Sequence, residues 1–598
     1  MKFHRVLDIE TYEDEGNFIP YCICMLLGEE SMILYKKNVN ENIIEDMIDL
    51  FESKKLNETF YVHNLTFDGI LIIENIKKKI KFNAVLFKSS IYELNIWSKN
   101  FRVKFKCSLK IFPLPLRKIG KLLNKEYEKL EFPHSFVSKY NFNSYIGQHP
   151  ILSDLKDWDL KKECIEYCIR DCKIVKEMLK KIFEERYIKE TMKARSISSL
   201  SLEVFKESFN TLGLETRLDK KYDKIVREAY FGGRCEIFGN VKEGEKIFHF
   251  DFTGMYSEIM KEDFCFGKIK IIKEIKNKWE IGEGFYDVDV LSVNMNIPVL
   301  PFRNEEGKLL FPNGSWRGTY WYEELKLFLD EGGIIKKIHK IIKFEKVGKP
   351  FVEFVEYFRE LRKKSEFNNV FWKLFINSMY GRMGMEENNI KTEIVGQAGY
   401  KRIESKKEII KEIIINKMTV VTYVNENKND QIDSNVCVAA AITSKARIKL
   451  YRAYKEVLKN GGRLLYSDTD SIFAAYKRDV VGETHGDVFW DGEKKDTRID
   501  KAIFAIPKGY AVKIENSSTV KIKGFKKDSI TFEEFEKTFK NKEQLVTKEI
   551  HFNKAKFKLK FEEIEKTILL HNYSKRMFNE DKTETKPLNI ERDKDNIE

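Results

Sequence analysis

Tyr466-Ser-Asp-Thr-Asp-Ser471 places two carboxylates one residue apart between apolar runs, Leu464-Leu465 before and Ile472-Phe473 after. The pattern predicts a β-hairpin with Asp468 and Asp470 at or near its tip. Side chains two apart in a strand share a face. Two like charges held that close repel unless a cation lies between them. Magnesium suits such a place, because it prefers hard carboxylate oxygens and keeps room for substrate phosphates. The plainer alternative is a solvated turn, since Asp and Ser are common turn residues. Partners elsewhere in the chain decide between the two.

Asp251 supplies one such partner. It lies in Phe248-His-Phe-Asp-Phe-Thr-Gly-Met-Tyr256, which reads as a buried strand ending at a carboxylate. Next comes Lys373-Leu-Phe-Ile-Asn377-Ser-Met-Tyr380-Gly381. Lys373, Asn377 and Tyr380 stand at i, i+4 and i+7, on one helix face. A cation, an amide and an aromatic on one stripe suit a nucleoside triphosphate. The bland reading is a stripe turned to the core, but a lysine at its centre is a poor core residue. Lys508-Gly-Tyr510 adds a further cation and aromatic beyond the carboxylate hairpin.

A second set of acids opens the chain. Val6-Leu7-Asp8-Ile9-Glu10-Thr11 alternates apolar and acidic residues, so Asp8 and Glu10 share a strand face. Asn64-Leu-Thr-Phe67-Asp68 is expected to form a loop after the short strand Phe60-Tyr-Val-His63. Tyr167-Cys-Ile-Arg-Asp171 puts a hydroxyl and a carboxylate one helical turn apart. Each acid alone reads as an ordinary solvated side chain. Four acids and a tyrosine together can hold two metal ions and orient a water for phosphodiester hydrolysis.

Composition sets the frame. The 598 residues are enough for three or four domains' worth of core, and 34% of them are charged. Lys plus Arg exceed Asp plus Glu by 107 − 94 = 13, which suits a polyanionic partner without requiring one. Nine cysteines include no CxxC pair, which disfavours disulfide scaffolding and points to a reducing compartment. Cys164, Cys168 and Cys172 follow helical spacing and are expected to form a small apolar stripe against a core. No apolar run is long enough to span a membrane, and the start, Phe3-His-Arg-Val-Leu-Asp8, lacks the apolar core of a signal peptide. The segment 403–417 is charged and expected at the periphery, and the last dozen residues are expected to fray.

The ordered set DIET, NxxFD and YxxxD resembles the 3′–5′ exonuclease domain of DNA polymerases. The resemblance implies Asp8, Glu10, Asp68 and Asp171 as metal ligands, with Tyr167 orienting the attacking water. It assigns the grip on a single-stranded 3′ end to Asn64, Phe67 and the pair Ser108-Leu109. A lysine is also implied for this site, and Lys139 is a candidate. The later segments resemble motifs A, B, C and KxY of family B DNA polymerases. They imply Asp251 and Asp470 as ligands of two Mg2+ ions (with Mn2+ as a substitute), supported by Asp468. Lys373 would contact the triphosphate, together with one of Arg362, Lys363 and Lys364. Tyr256 would lie under the sugar and exclude a 2′-hydroxyl, Asn377 and Tyr380 would border the nascent base pair, and Lys508 and Tyr510 would hold the primer end. Motif A departs from the family pattern at Gly254 and Ser257.

Tyr230-Phe-Gly-Gly233-Arg234 resembles the YxGG motif that protein-primed members place between their two activities, with Gly232 and Gly233 approaching a phosphate backbone. Lys521-Ile-Lys523-Gly524 is similar to the start of a thumb. The first acid stands at residue 8, without the N-terminal domain of cellular members. Phe311-Pro-Asn-Gly-Ser-Trp316-Arg-Gly-Thr-Tyr320, followed by Glu323-Glu324, occupies the place of a terminal-protein-binding insertion. Tyr380 and Tyr466 leave room for a second insertion, which in relatives drives strand displacement. The implied fold is α/β and α+β multidomain: an RNase H-like exonuclease domain over 1–190, then a right-hand polymerase over 191–598. Within the latter, the first insertion takes about 262–350, fingers 351–385, the second insertion 386–430, palm 431–520 and thumb 521–590. The implied partners are template and primer DNA, dNTPs and a terminal protein. The implied setting is a phage, virus or linear plasmid, in host cytoplasm or mitochondrial matrix.

Overall fold

A computed structural model describes residues 5–77, 80–87, 89–189, 192, 194–273, 281–386, 390–415, 418–425, 433–480, 497–515, 517–526, 529–552 and 561–591. Strand Arg5–Asp14 pairs antiparallel with Asn17–Leu27 and parallel with Asn57–Val62, which pairs parallel with Arg102–Cys107. Strict alternation sorts the first two strands. Leu7, Ile9, Ile23 and Met25 pack beneath helices Ile43–Ser53 and Leu65–Asn75. Val6, Cys22, Cys24 and Leu26 pack on the opposite side with helix Leu160–Phe183. Asp8 and Glu10 fall on this second side, opposite Cys24 and Cys22 in the antiparallel register. The acids thus interrupt a row that would otherwise be apolar.

The sheet does not end with the first 190 residues. Ile390–Gly396 pairs antiparallel with Lys81–Phe87, and Met418–Val424 and Ile409–Ile415 follow outward, making ten strands in all. Three strands of the expected second insertion are therefore hydrogen-bonded into the N-terminal sheet. Residues 403–415 do lie at its periphery, although Ile403 is buried, while 416–417 and 426–430 fall outside the described residues.

A second sheet carries the later acids. Its order is Cys235–Ile237, Arg463–Asp468, Ser471–Tyr476, Lys246–Asp251 and Thr497–Ile499. Helix Val436–Lys459, with its Ala-rich first turns buried, and helix Glu366–Met383 belong to a core continuous with that of the N-terminal region. At the junction, the fully buried Phe112 meets Phe367 and Phe371 edge-on at 5.3 and 5.1 Å. Removing such a ring costs about 3–5 kcal/mol. Residues of the first expected insertion supply four strands of a separate five-stranded sheet, Phe264–Ile272, Ile334–Gly348, Phe285–Ser292 and Asn313–Trp321. Among the described residues, no helix is long and apolar enough to cross a membrane.

The C-terminus departs from expectation. Asn589–Glu591 pairs parallel with Asn313–Trp321, so the chain is docked as far as Glu591, while 592–598 fall outside the described residues. Gly314 makes room for it: its φ is +114°, and a Cβ there would stand 1.8 Å from the Ile590 carbonyl oxygen. Backbone pairing recovers hydrogen bonds that a frayed end would give to water. Gly314→Ala should release this strand, seen as faster proteolytic trimming of the C-terminus with the rest of the chain intact.

Candidate active sites

The hairpin places its acids where the pattern predicted, by a turn rather than by strand alternation. Arg463–Asp468 ends at the first acid and Ser471–Tyr476 begins after the second. Between them Thr469 has φ 64°, and the Asp470 amide bonds the Asp468 carbonyl at 2.7 Å. Asp251 ends its strand opposite Ser471, and the Phe252 amide donates to the Asp470 carbonyl at 2.9 Å. Burial, then the negative charges of Asp251 and Asp468, push Asp470 up to about 6, with Lys373 opposing. Lys508 bonds Asp468 Oδ1 at 2.7 Å. Burial opposes its charge, but Asp468 holds the ammonium above its ordinary value.

The residues expected to face a nucleotide lie near these acids, Lys373, Tyr256 and Tyr380 each interacting electrostatically with Asp470. Tyr256 and Tyr380 stack at 4.6 Å with 2° between their planes. Lys373 is exposed, and buried Asn377 Oδ1 has no hydrogen-bond partner. Gly254 has φ +70°, the left-handed region that favours glycine, and the Ser257 hydroxyl donates to its carbonyl at 2.7 Å. The two departures in motif A therefore form one compact turn. Tyr510 packs against Tyr466 and Phe473, and Lys523 is exposed, its amide bonding the Lys508 carbonyl. Of the three candidate triphosphate cations, Arg362 bonds Asn369 and Lys363 pairs with Glu360.

The two glycines divide their work. A Cβ on Gly232 would meet open space, whereas one on Gly233 would lie 2.9 Å from Thr469 Cγ2. The Arg234 carbonyl accepts from the Thr469 amide at 2.8 Å. The motif therefore buttresses the carboxylate turn, and Gly232 remains open to a ligand. Tyr230 packs over Gly384, where a Cβ would stand 2.4 Å from its hydroxyl.

At the N-terminal centre, Asp8 and Glu10 face Asp171 and Tyr167 of helix Leu160–Phe183. Asp68 sits in the first turn of helix Leu65–Asn75 rather than in a loop, where an acid complements the helix dipole. Asn64 precedes this helix in the left-handed conformation, φ 72°, and Phe67 packs edge-on against Phe18. Burial, then Asp171, pushes Asp8 up to about 7. Burial and Asp8 raise Glu10 and Asp68 well above the carboxylate range, and burial raises Asp171. Asp171 Oδ1 is buried without a partner. So much confined negative charge, with an orphaned oxygen, fits divalent cations. Ser108 is fully buried with its hydroxyl 3.1 Å from His63 Nδ1, and Leu109 is half-buried.

Three residues escaped the sequence reading. Lys129, not Lys139, reaches the acids: it pairs with Asp171 and lies 4.3 Å over the Tyr167 ring. Lys139 pairs with Asp14 at 3.1 Å. His134 stands 3.2 Å from the Tyr167 hydroxyl and 3.6 Å from Glu10, held below its ordinary value by burial and by Lys129. His63 supports Ser108. For the first two, the signal available was the short stretch Lys129-Leu-Glu-Phe-Pro-His134, in which a lysine and a histidine stand five residues apart.

Residues 50–458 match the family of type B DNA polymerases, organellar and viral. The chain belongs to this family. A probable DNA polymerase of Podospora anserina is 27% identical in an alignment of 503 positions that covers 74% of this chain and 41% of that protein. The DNA-directed DNA polymerase of Enterobacteria phage PRD1 is 25% identical over 80% of this chain and 78% of its own. The chain spans less than half the length of the first fungal relatives it matches. Phi29 DNA polymerase, complexed with primer-template DNA and incoming nucleotide, superposes with a TM-score of 0.67 at 18% identity, covering 95% of this chain and 100% of that one. The shared fold is that of an exonuclease domain followed by palm, fingers and thumb.

The raised acids make a linkage prediction. A carboxyl whose folded value lies above its unfolded one stabilises below the unfolded value and loses that contribution as pH rises through the folded one. For Asp8 the window runs from the ordinary aspartate value of 3.8 to about 7. Magnesium should therefore raise the melting temperature more near pH 8 than near pH 5, read by thermal denaturation with and without the ion.

Proposed function

We propose that this chain is a replicative DNA polymerase that starts from a terminal protein, displaces the non-template strand and proofreads by 3′–5′ excision. The observation that carries the reading is the meeting of Asp251, Asp468 and Asp470 with the Lys373, Asn377 and Tyr380 face, apart from a second acid centre at Asp8, Glu10, Asp68 and Asp171. The assigned domains are 1–190 for excision and 191–598 for synthesis, with insertions, fingers, palm and thumb at the boundaries given above. The partners are template and primer DNA, dNTPs and the terminal protein, in host cytoplasm or mitochondrial matrix.

Asp251 and Asp470, supported by Asp468, would hold two magnesium ions. Asp8, Glu10, Asp68 and Asp171 would hold another two. Bound there, the ions supply charge neutralisation and activation of the attacking oxygen. Lys373 binds the triphosphate, and the stacked Tyr256 and Tyr380 seat the sugar and base of the nascent pair. Lys508 and Tyr510, with Lys523, hold the primer end. Tyr230, Gly232 and Gly233 guide the strand between the centres. Asn64, Phe67, Ser108 and Leu109 receive the frayed 3′ end, and Tyr167 orients water. Lys129 offsets negative charge beside Asp171. Most of the rate advantage then comes from positioning and fixed charge.

Asp8→Ala with Glu10→Ala should abolish excision of a 3′ end while synthesis persists. Asp470→Asn should do the reverse. Loss of both activities in either protein would overturn the two-centre assignment. Lys129→Ala should lower excision about a hundredfold in single-turnover assays. Initiation with a terminal protein and dNTPs, without an oligonucleotide, separates protein priming from a nucleic-acid-primed family B enzyme. A polymerase that only extends oligonucleotides would decide for the latter.

A further inference from the structure

The N-terminal acid centre is lined by sulfur. Asp8 and Glu10 stand opposite Cys24 and Cys22 across the strand pair. Cys168, fully buried on helix Leu160–Phe183, lies over them with its Sγ 3.7 Å from both Asp8 Oδ2 and the Asp8 carbonyl oxygen. One ligand atom each from Asp8, Glu10 and Cys168 all fall within 4.8 Å of one another, the one such grouping among the described residues. Asp171, 5% exposed and beside the same acids, leaves Oδ1 without a partner.

The 3.7 Å sulfur–oxygen distance suits a small tetrahedral ion. With Zn–S of about 2.3 Å and Zn–O of about 2.0 Å, the sulfur–oxygen edge of a tetrahedron is roughly 3.5 Å. Thiolate sulfur favours zinc-class ions and offers little to magnesium. The hairpin centre differs. Cys235 lies across from Asp468, but its thiol is engaged with the Tyr466 hydroxyl at 3.3 Å.

We propose that Asp8, Glu10 and Cys168 form a mixed oxygen–sulfur site for a borderline-soft divalent ion of the zinc class, which competes with magnesium at the excision centre and spares the synthesis centre. The site rests on the excision reading only for its consequence, inhibition, and not for its chemistry. On binding, the ion replaces the thiol proton, which leaves to solvent, and no electron is transferred.

The test uses the full chain, freed of metal and titrated with Co2+ as a coloured substitute for zinc. The expected result is a thiolate-to-cobalt charge-transfer band that Zn2+ bleaches. It should survive Cys164→Ser, whose thiol bonds Tyr21 instead, and Asp470→Asn. It should vanish in both Cys168→Ser and Cys168→Ala, with zinc affinity down about tenfold or more. Zinc X-ray absorption on the unaltered chain, which needs no variant to fold, should show one sulfur scatterer at about 2.3 Å. Absence of the band, an oxygen-only shell, or a band kept in both Cys168 variants overturns the proposal. Magnesium-dependent excision is assayed alongside. Excision without the cobalt band removes the sulfur site alone, whereas the band without excision keeps the site and removes the excision reading.

Discussion

Like-charge repulsion is the constraint around which this molecule is built. Both centres press carboxylates together in places that penalise charge, and the raised Asp8 and Asp470 register that cost. Nothing in the acids themselves would keep them close. The work falls to backbone: parallel and antiparallel ladders at the first centre, and a tight turn between paired strands at the second. A stiff frame that holds repelling groups is a frame prepared for cations, at the expense of stability without them.

Buried ion pairs stiffen the second frame. Arg447 clasps Glu324 through two nitrogens at 2.7 and 2.8 Å and donates to the Phe231 carbonyl, pinning the double-glycine segment. Lys445 takes Glu323. Arg234 bonds Glu236 and the Pro298 carbonyl while lying 4.0 Å over Phe311. Breaking one partner of such a pair costs about 3–5 kcal/mol, because the other charge is left buried. Glu323 and Glu324, for which the resemblance implies a place in a partner-binding insertion, both pair with helix Val436–Lys459, Glu324 fully buried and Glu323 half-buried. The same arginine that closes the family motif sets the carbonyl on which the Thr469 turn hangs.

What was legible in the sequence was local. Asp8 and Glu10, Tyr167 and Asp171, and the Lys373 face each lie within one element, where the strand or helix period dictates who shares a side. The hairpin tip was legible for the same reason, although a left-handed Thr469 sets it. What was not legible depends on distant pairing. Lys129 finds Asp171 across 42 residues from an irregular stretch, and Cys168 finds Asp8 across 160. Asp68 moved from loop to helix because Asn64 takes a left-handed conformation that no periodicity announces. The union of Ile390–Gly396 with Lys81–Phe87 joins segments some three hundred residues apart, beyond the reach of any local pattern.

Phe112 has a mechanical consequence. Its ring follows the Ser108 segment directly and is lodged against the helix that carries Lys373, Asn377 and Tyr380. Packed interiors are nearly incompressible and transmit strain. Any tilt of that helix therefore moves the seat of the Ser108 segment as well. The two regions share a hinge pin, so a displacement of one is felt as a push at the other.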